Sequence, residues 1–427
     1  MSRLSEKYRE KVYTEKLENG LHVVIINKEG YVRSHALFMT PFGAMKSKMY
    51  SEDKEIVTFK DGLAHFLEHK MFESKEGDIM DRFSAMGISA NAFTSYNETV
   101  YYFSTSFDIQ EPLELLLDFV QELDCDEASV EKEKGIIVQE LRMYAQMSDA
   151  KFVQEMFSSL YKAHPLSIDI GGSEESVNST TVEDLYQCYE LNYHPQNMTL
   201  IVVSGEDPNK IMEIVKNNQS KKQFKDLPKL EIYSYNEPKE VNREKYSFQM
   251  DITQPRFGLA FKLCGINDDR ERYTLDLALK ILMESYFSTS NVYVQKWLDE
   301  RLINDSFVYD SEIGRDYGYI MLVSETEKMD ALKEEFLRVC HEMVEKGIDD
   351  SLLSSIKKRL YGMQIKLMNR FEDYAIAYGR FYYNGIDFFE SLDILSNITK
   401  EDVKRSIEHI TLEHMAEVHL LPLNSDE

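Results

Sequence analysis

The chain has 427 residues, 43% of them hydrophobic, and this length supports two domains of about 200 residues each. Its 75 acidic residues outnumber its 49 basic ones and give a net charge of −26, so we expect no nucleic-acid partner, because phosphate binding needs a cationic surface. We find no signal-peptide pattern, no membrane-length apolar run and no C-x-x-C spacing among the 4 cysteines, so we expect a cytoplasmic protein with no membrane partner.

The first predicted elements along the chain are strands. Residues 11 to 40 give a strand, a turn at Glu18-Asn19-Gly20, a second strand and a third, apolar strand through Ala36-Leu37-Phe38-Met39. The apolar pattern then predicts helices at about 61–74, 77–87, 110–123 and 129–161.

The helix predicted to begin near Gly62 carries His65, Glu68 and His69 in the pattern H-x-x-E-H. Residues four apart lie on one face of a helix, so the two imidazoles can hold one metal ion between them. Imidazoles are common ligands of Zn²⁺, and a catalytic zinc keeps an open position for water. This inverted zincin pattern makes Glu68 the candidate general base. The competing interpretation is an ordinary polar helix surface.

A catalytic zinc needs a third protein ligand, and the helix predicted at about 129–161 offers two candidates. Glu133 and Glu140 are seven residues apart, which puts both on one face of that helix. The spacing alone does not choose between them. Both carboxylates could instead simply solvate an acidic helix.

Between these helices, residues 88 to 106 predict a β-hairpin. They are rich in Thr, Tyr, Phe and Val, with a turn at Tyr96-Asn97-Glu98. Taken alone, the pattern fits an ordinary hairpin with one buried face.

The two halves of the chain end in similar patterns, which indicates a duplication. Helices open at Thr181-Val182-Glu183-Asp184 and at Thr399-Lys400-Glu401-Asp402, 218 residues apart, and an apolar strand follows each. The stretch between the copies is polar and carries Pro228 and Pro238. We therefore predict modules at 1–219 and 243–427 with a linker at 220–242.

Several motifs extend the H-x-x-E-H signal through the first half of the chain. They are HFLEHKMFE at 65–73, SANAFTS at 89–95, TVYYF at 99–103, VEKEKGIIVQE at 130–140, HP at 164–165, GG at 171–172 and YHPQNM at 193–198. Together they resemble the pitrilysin-type zinc peptidases, the family of insulin-degrading enzyme and the mitochondrial processing peptidases, and in particular its YmfH-like bacterial members.

The resemblance implies a ligand set. In that family the second glutamate of the pair is the third zinc ligand, so Zn²⁺ would be held by His65, His69 and Glu140. Glu133 would be an outer carboxylate that supports the catalytic site beside Glu68.

The resemblance also implies a place for the substrate. The matching family strand is an exposed sheet edge beside the metal, to which an extended peptide adds through main-chain hydrogen bonds. The substrate-binding residues would then be Asn91, Ala92, Phe93 and Thr94. The family further uses an Arg and a Tyr seven apart, whereas Arg301 and Tyr309 here are eight apart, so a partner chain could supply this function.

The implied fold is α+β, with two homologous αβ modules that each have an antiparallel-rich sheet covered by helices and together form half of a clamshell. Only the first module would bind metal. The resemblance implies a zinc metalloendopeptidase that cleaves peptides or short unfolded segments, paired with a homologous subunit that lacks the motif or with a second copy of itself. The alternatives are a non-catalytic scaffold subunit and a zinc hydrolase of a non-peptide amide.

Overall fold

The structure is a computed structural model that describes residues 2–5, 7–75 and 77–423. The chain forms two compact units, each assembled from separate segments. The first unit takes its residues from 1–142, 169–233 and 367–383, and the second from 143–168, 234–366 and 384–427.

The strands of the described residues, in chain order, are β1 Ser2–Ser5, β2 Glu10–Lys16, β3 His22–Asn27, β4 Ser34–Thr40, β5 Lys48–Tyr50, β6 Ile56–Thr58, β7 Glu73–Ser74, β8 Gly77–Asp78, β9 Ser89–Thr94, β10 Thr99–Thr105, β11 Thr199–Ser204, β12 Glu231–Ile232, β13 Lys245–Met250, β14 Arg256–Lys262, β15 Val308–Ile313, β16 Gly318–Glu325 and β17 Met415–Pro422.

The α-helices, in the same order, are α1 Leu63–Lys70, α2 Ile79–Ala85, α3 Gln110–Val120, α4 Glu127–Gln146, α5 Ser148–Leu160, α6 Glu174–Ser179, α7 Val182–Asn192, α8 Pro208–Gln219, α9 Asp269–Phe287, α10 Val292–Asp299, α11 Met329–Lys346, α12 Asp350–Leu367, α13 Phe371–Tyr383, α14 Phe388–Asn397 and α15 Lys400–Ile407. A short 3₁₀ turn covers Pro165–Ser167. None of the helices in the described residues is long and apolar enough to cross a membrane.

The first unit is built on a seven-stranded sheet in the order β1-β2-β3-β11-β4-β10-β9. Only β3 and β11 run parallel in it. The central strands β4 and β11 are buried along their whole length, which explains their continuous apolar sequence. Phe38 and Leu200 point into a core that includes residues of α1 and α3, while Met39 and Ile201 point to the opposite face.

The second unit repeats this pattern. Its five-stranded sheet has the order β13-β17-β14-β16-β15, with β13 and β17 parallel and the other neighbours antiparallel. The same directions occur along β3-β11-β4-β10-β9. Thr181 and Thr399 also cap their helices identically, each with a capping box and with φ −115° and ψ 168°. The predicted α+β fold with a duplicated module is therefore confirmed.

The compact units do not coincide with a single cut at residues 220–242. Helix α5 packs against β14 and β17 of the second unit, whereas α13, from the second half of the chain, packs against β4 and β11 of the first. Each unit thus takes a helix from the other half of the sequence. The predicted linker also contains β12, which pairs with β5.

The prediction of a single helix at about 129–161 is wrong. It is divided into α4 and α5 at Met147, whose ψ of 112° is extended. The buried residues of α5, including Phe152, Met156 and Leu160, belong to the second unit, whereas most of α4 belongs to the first. No Gly or Pro marks the break in the sequence.

Candidate metal centre

Helix α1 presents its polar residues on one side because its apolar residues are buried on the other. Leu63, Ala64, Phe66 and Leu67 all enter the core of the first unit. Gly62 caps the start of the helix with a φ of 82°, which favours glycine, and a Cβ there would lie 2.2 Å from the carbonyl oxygen of Gly171. Tight packing at both its start and its apolar face therefore fixes the orientation of α1.

The structure brings His65, His69 and Glu140 together. One Glu140 oxygen, Oε2, lies 3.8 Å from His65 Nε2 and 3.3 Å from His69 Nε2. Among the described residues, these three form the group whose donor atoms converge as a metal site requires, all within 4.8 Å of one another. Ligands of a tetrahedral zinc with bonds of about 2.0–2.1 Å stand about 3.3–3.4 Å apart, so both the donor types and their spacing fit Zn²⁺.

Glu133 lies behind His69, away from Glu140. Its Oε1 is 2.9 Å from His69 Nδ1, and the carboxylate is buried. Burial lowers the pKa of His69, but the hydrogen bond and charge of Glu133, together with Glu140 and Glu68, outweigh it and hold that pKa above its usual value. A carboxylate that accepts the Nδ1 proton leaves Nε2 as the coordinating atom, which is how outer carboxylates orient histidine ligands.

The second imidazole is neutral at physiological pH. Burial, followed by the charge of His69, lowers the pKa of His65 to about 4. A neutral imidazole is the form that binds a metal, so no proton has to be displaced from His65.

Glu68 stands beside the donor group without belonging to it. Its Oε2 accepts a hydrogen bond of 2.6 Å from the hydroxyl of Thr94. Burial raises the pKa of Glu68 above its usual value, although the Thr94 hydrogen bond acts in the opposite direction. A carboxylate with a raised pKa is a stronger base, which is the property that proton transfer near neutral pH requires.

The predicted hairpin is confirmed as β9 and β10, and β9 is the edge strand of the seven-stranded sheet. In the described residues β9 pairs only with β10, so its outer edge has main-chain groups available for another strand. Asn91 on this strand is exposed, while Ala92, Phe93 and Thr94 are half-buried. Thr94, the last residue of this strand, connects it to Glu68 through the 2.6 Å hydrogen bond.

Arg301 and Tyr309 both belong to the second unit. Arg301 is exposed, follows α10 and has a φ of 54°. Tyr309 lies on β15, and its hydroxyl donates to Glu284 at 2.6 Å. Sequence reasoning did not foresee this contact, nor that Thr94 would hold Glu68.

Comparison with known proteins agrees with this fold. The model of the family described as "Insulinase (Peptidase family M16)" matches residues 58–174, and the model described as "Peptidase M16 inactive domain" matches residues 179–360. The uncharacterized zinc protease YmfH of Bacillus subtilis is 34% identical, over 98% of both chains. Subunit beta of the rat mitochondrial-processing peptidase is 27% identical, over 47% of this chain and 40% of its own.

Solved structures give the same result. An M16-like peptidase from Alicyclobacillus acidocaldarius matches with a TM-score of 0.92 and 30% identity, over 97% of this chain and 99% of its own. Pitrilysin shares the fold with a TM-score of 0.76 and 18% identity, over 98% of this chain but 45% of pitrilysin.

The fold is shared with M16 peptidases, and the convergent histidines and carboxylate could hold a metal ion. The chain belongs to the M16 family of insulinase-like and pitrilysin-like zinc proteases. Its cofactor is accordingly Zn²⁺, and several relatives are themselves named zinc proteases.

Proposed function

We propose that this chain is a zinc-dependent metalloendopeptidase that cleaves peptides or short unfolded segments, with its chemistry in the first unit. The observation that carries the proposal is the convergence of His65, His69 and Glu140 beside a separate carboxylate, Glu68, at the end of an open edge strand. A metal site alone would fit a structural role. A free base and a peptide-binding edge beside it favour hydrolysis.

Each residue has a defined task in this proposal. His65, His69 and Glu140 hold the ion, and Glu133 orients His69 through the 2.9 Å contact. A bound Zn²⁺ supplies Lewis acidity that polarises a peptide carbonyl and acidifies a water molecule.

Glu68 and the edge strand complete the reaction. Glu68 accepts a proton from the attacking water and delivers it to the leaving amine, while Thr94 holds the carboxylate in position. The main chain of Asn91, Ala92 and Phe93 pairs with the extended substrate and aligns its scissile bond.

The test compares Glu68→Gln with the unaltered protein on a flexible peptide. Glutamine has the size of glutamate but cannot take the proton, so we expect zinc binding to persist while kcat falls by about 10²–10⁴-fold. Glu131→Gln is the matched control, because Glu131 is an exposed carboxylate on α4 whose partner is Lys134. Full activity of Glu68→Gln would remove Glu68 from the mechanism.

Two other functions would give different results in the same assay. A non-catalytic scaffold subunit would bind zinc without cleaving any peptide, even with a partner present. A hydrolase of a non-peptide amide would be inactive on peptides but sensitive to Glu68→Gln on its own substrate. The inactive-domain match does not favour the scaffold, since it begins at residue 179 and so lies outside the H-x-x-E-H helix.

We further propose that the chain works with a second chain, preferably a homologous subunit without the motif and alternatively a second copy. The chain covers 45% of pitrilysin, so that protein is about twice as long. A relative is also named as one subunit of a peptidase. Robust turnover by a demonstrated monomer, undiminished by dilution, would contradict this proposal. A cytoplasmic location is proposed with it, supported by the free state of all 4 cysteines.

A further inference from the structure

Helix α13 belongs to the first unit although it comes from the second half of the sequence. It packs against β4 and β11, where a Cβ on Gly379 would lie 2.1 Å from the Met39 sulfur, so the glycine permits a close approach. The hydroxyl of Tyr383 donates to the carbonyl of Met39 at 2.8 Å. At the other end of the helix, the Phe371 ring lies 5.4 Å from that of Tyr31. These contacts fix α13 along its length.

From this position α13 reaches the turn of the β9–β10 hairpin. Arg380 donates from Nε and Nη2 to one oxygen of Glu98, at 2.9 and 2.7 Å. Glu98 is only 4% exposed, so its charge is removed from water. A buried carboxylate is costly without a partner, and the guanidinium supplies that partner with directional hydrogen bonds.

The same turn leads to the candidate general base. Ser95 donates its amide to the carbonyl of Glu98 at 2.8 Å, and its hydroxyl accepts the Glu98 amide at 3.2 Å. Thr94, the next residue, donates to Glu68 at 2.6 Å. Thr99, on the other side of the turn, donates to the carbonyl of Phe42 at 2.9 Å. One closed turn therefore separates the Arg380–Glu98 pair from the hydroxyl that holds Glu68.

We infer that Arg380 and Glu98 are a positioning pair for the reaction: they lock the hairpin turn, and the turn sets Thr94 and with it the Glu68 carboxylate. The inference rests on the proposed function for its catalytic consequence. It also means that the first unit is completed by a helix from outside the metal-binding half of the sequence, because Arg380 lies 282 residues beyond Glu98. Neither residue belongs to the candidate metal donors, which are His65, His69 and Glu140.

The experiment measures kcat, KM and zinc content for Arg380→Gln, Arg380→Lys and the control Arg370→Gln. Arg370 lies next to α13 and forms an exposed pair with Asp373, so its loss should change nothing. For Arg380→Gln we expect kcat to fall by about tenfold or more, with KM and zinc content nearly unchanged, because the edge strand stays paired with β10 while Glu68 loses its alignment. Arg380→Lys restores the charge and should recover part of kcat.

A double variant separates positioning from stability. Arg380→Gln leaves the buried Glu98 carboxylate unpaired, which lowers the melting temperature as well. Glu98→Gln combined with Arg380→Gln removes both charges, so the melting temperature should recover while kcat stays low. Recovery of kcat together with the melting temperature would overturn the inference.

Hydrogen exchange provides a readout that does not depend on catalysis. The amides of Ser95, Asn97 and Glu98 are hydrogen-bonded within the turn. They should exchange faster in Arg380→Gln and not in Arg370→Gln, even if the unaltered protein cleaves no peptide. Unchanged exchange would refute the positioning pair, whereas an inactive parent protein with faster exchange would refute only the proposed function.

Discussion

The two units share five strands in one order, yet the position that holds the candidate metal donors in the first unit holds an ion pair in the second. Helix α9 lies against the edge strand β15 as α1 lies against β9. Helices α4 and α12 are each the second helix after the hairpin. In the second unit, Glu284 of α9 accepts the Tyr309 hydroxyl at 2.6 Å and pairs with Arg359 of α12 at 2.8 Å.

The shared feature is a helix carboxylate that accepts a hydroxyl from the edge strand, Thr94 to Glu68 in one unit and Tyr309 to Glu284 in the other. The difference lies in what the following helix contributes. Arg359 pairs directly with Glu284, and this ion pair balances the negative charge of the carboxylate. Helix α4 contributes Glu140 and Glu133 instead. These carboxylates add negative charge, which a bound metal cation would neutralise. In the proposed function, the same framework thus provides a general base in one unit and a carboxylate paired with an arginine in the other.

The largest expected effect comes from removing a metal donor. We expect Glu140→Ala to lose zinc binding, because only the two imidazoles remain, whereas Glu133→Ala should weaken it by about 10–100-fold. Glu284→Ala in the second unit should leave zinc content unchanged. Metal analysis of the three purified variants checks this. Zinc retained by Glu140→Ala but lost by Glu133→Ala would exchange the two roles.

A smaller effect should follow from removing the edge-strand hydroxyls. Thr94→Val keeps the side-chain shape and deletes the hydrogen bond to Glu68, so we expect kcat to fall on the order of tenfold with zinc retained. Tyr309→Phe deletes the corresponding hydrogen bond to Glu284. We expect this bond to be structural, so kcat should fall less than in Thr94→Val. Steady-state kinetics of both variants decide the matter, and a larger loss in Tyr309→Phe would contradict the comparison.

The smallest effect concerns the stability of the second unit at low pH. Burial raises the pKa of Glu417, but Lys333 and Lys245 outweigh it and lower that pKa to about 2. A carboxylate whose pKa is lowered by folding stabilises the fold at pH values above its unfolded pKa of 4.5. This stabilisation is lost as the pH falls toward the folded pKa of about 2.

Chemical denaturation at several pH values tests this sign. Glu417→Gln should be less stable than the unaltered protein at pH 7, and the difference should close progressively below about pH 4.5. A difference that grows as the pH falls would show that Glu417 is not stabilised as a carboxylate.

Much of the site could be predicted because its signals are local. The four-residue spacing of His65 and His69 and the seven-residue spacing of Glu133 and Glu140 follow from helix periodicity. The hairpin follows from its composition and turn. The choice of Glu140 as ligand depended on family resemblance, and the structure brings its carboxylate to the two Nε2 atoms.

The remaining features depend on contacts between distant segments and left no local pattern. Arg380 and Glu98 are 282 residues apart, and nothing near either one marks the pairing. The assignment of α13 to the first unit and the break at Met147 likewise depend on which core buries each helix. Periodicity identifies an apolar helix face but not the sheet that covers it.

We expect one zinc ion to be bound by His65, His69 and Glu140 in the first unit and none in the second. X-ray absorption at the zinc edge, combined with metal quantification on the full chain, tests both the place and the number of bound zinc ions. We expect one zinc per chain, coordinated by imidazole nitrogens and by oxygen, with no sulfur ligand. Two zinc ions per chain, sulfur in the coordination shell, or no binding after zinc is supplied would contradict it.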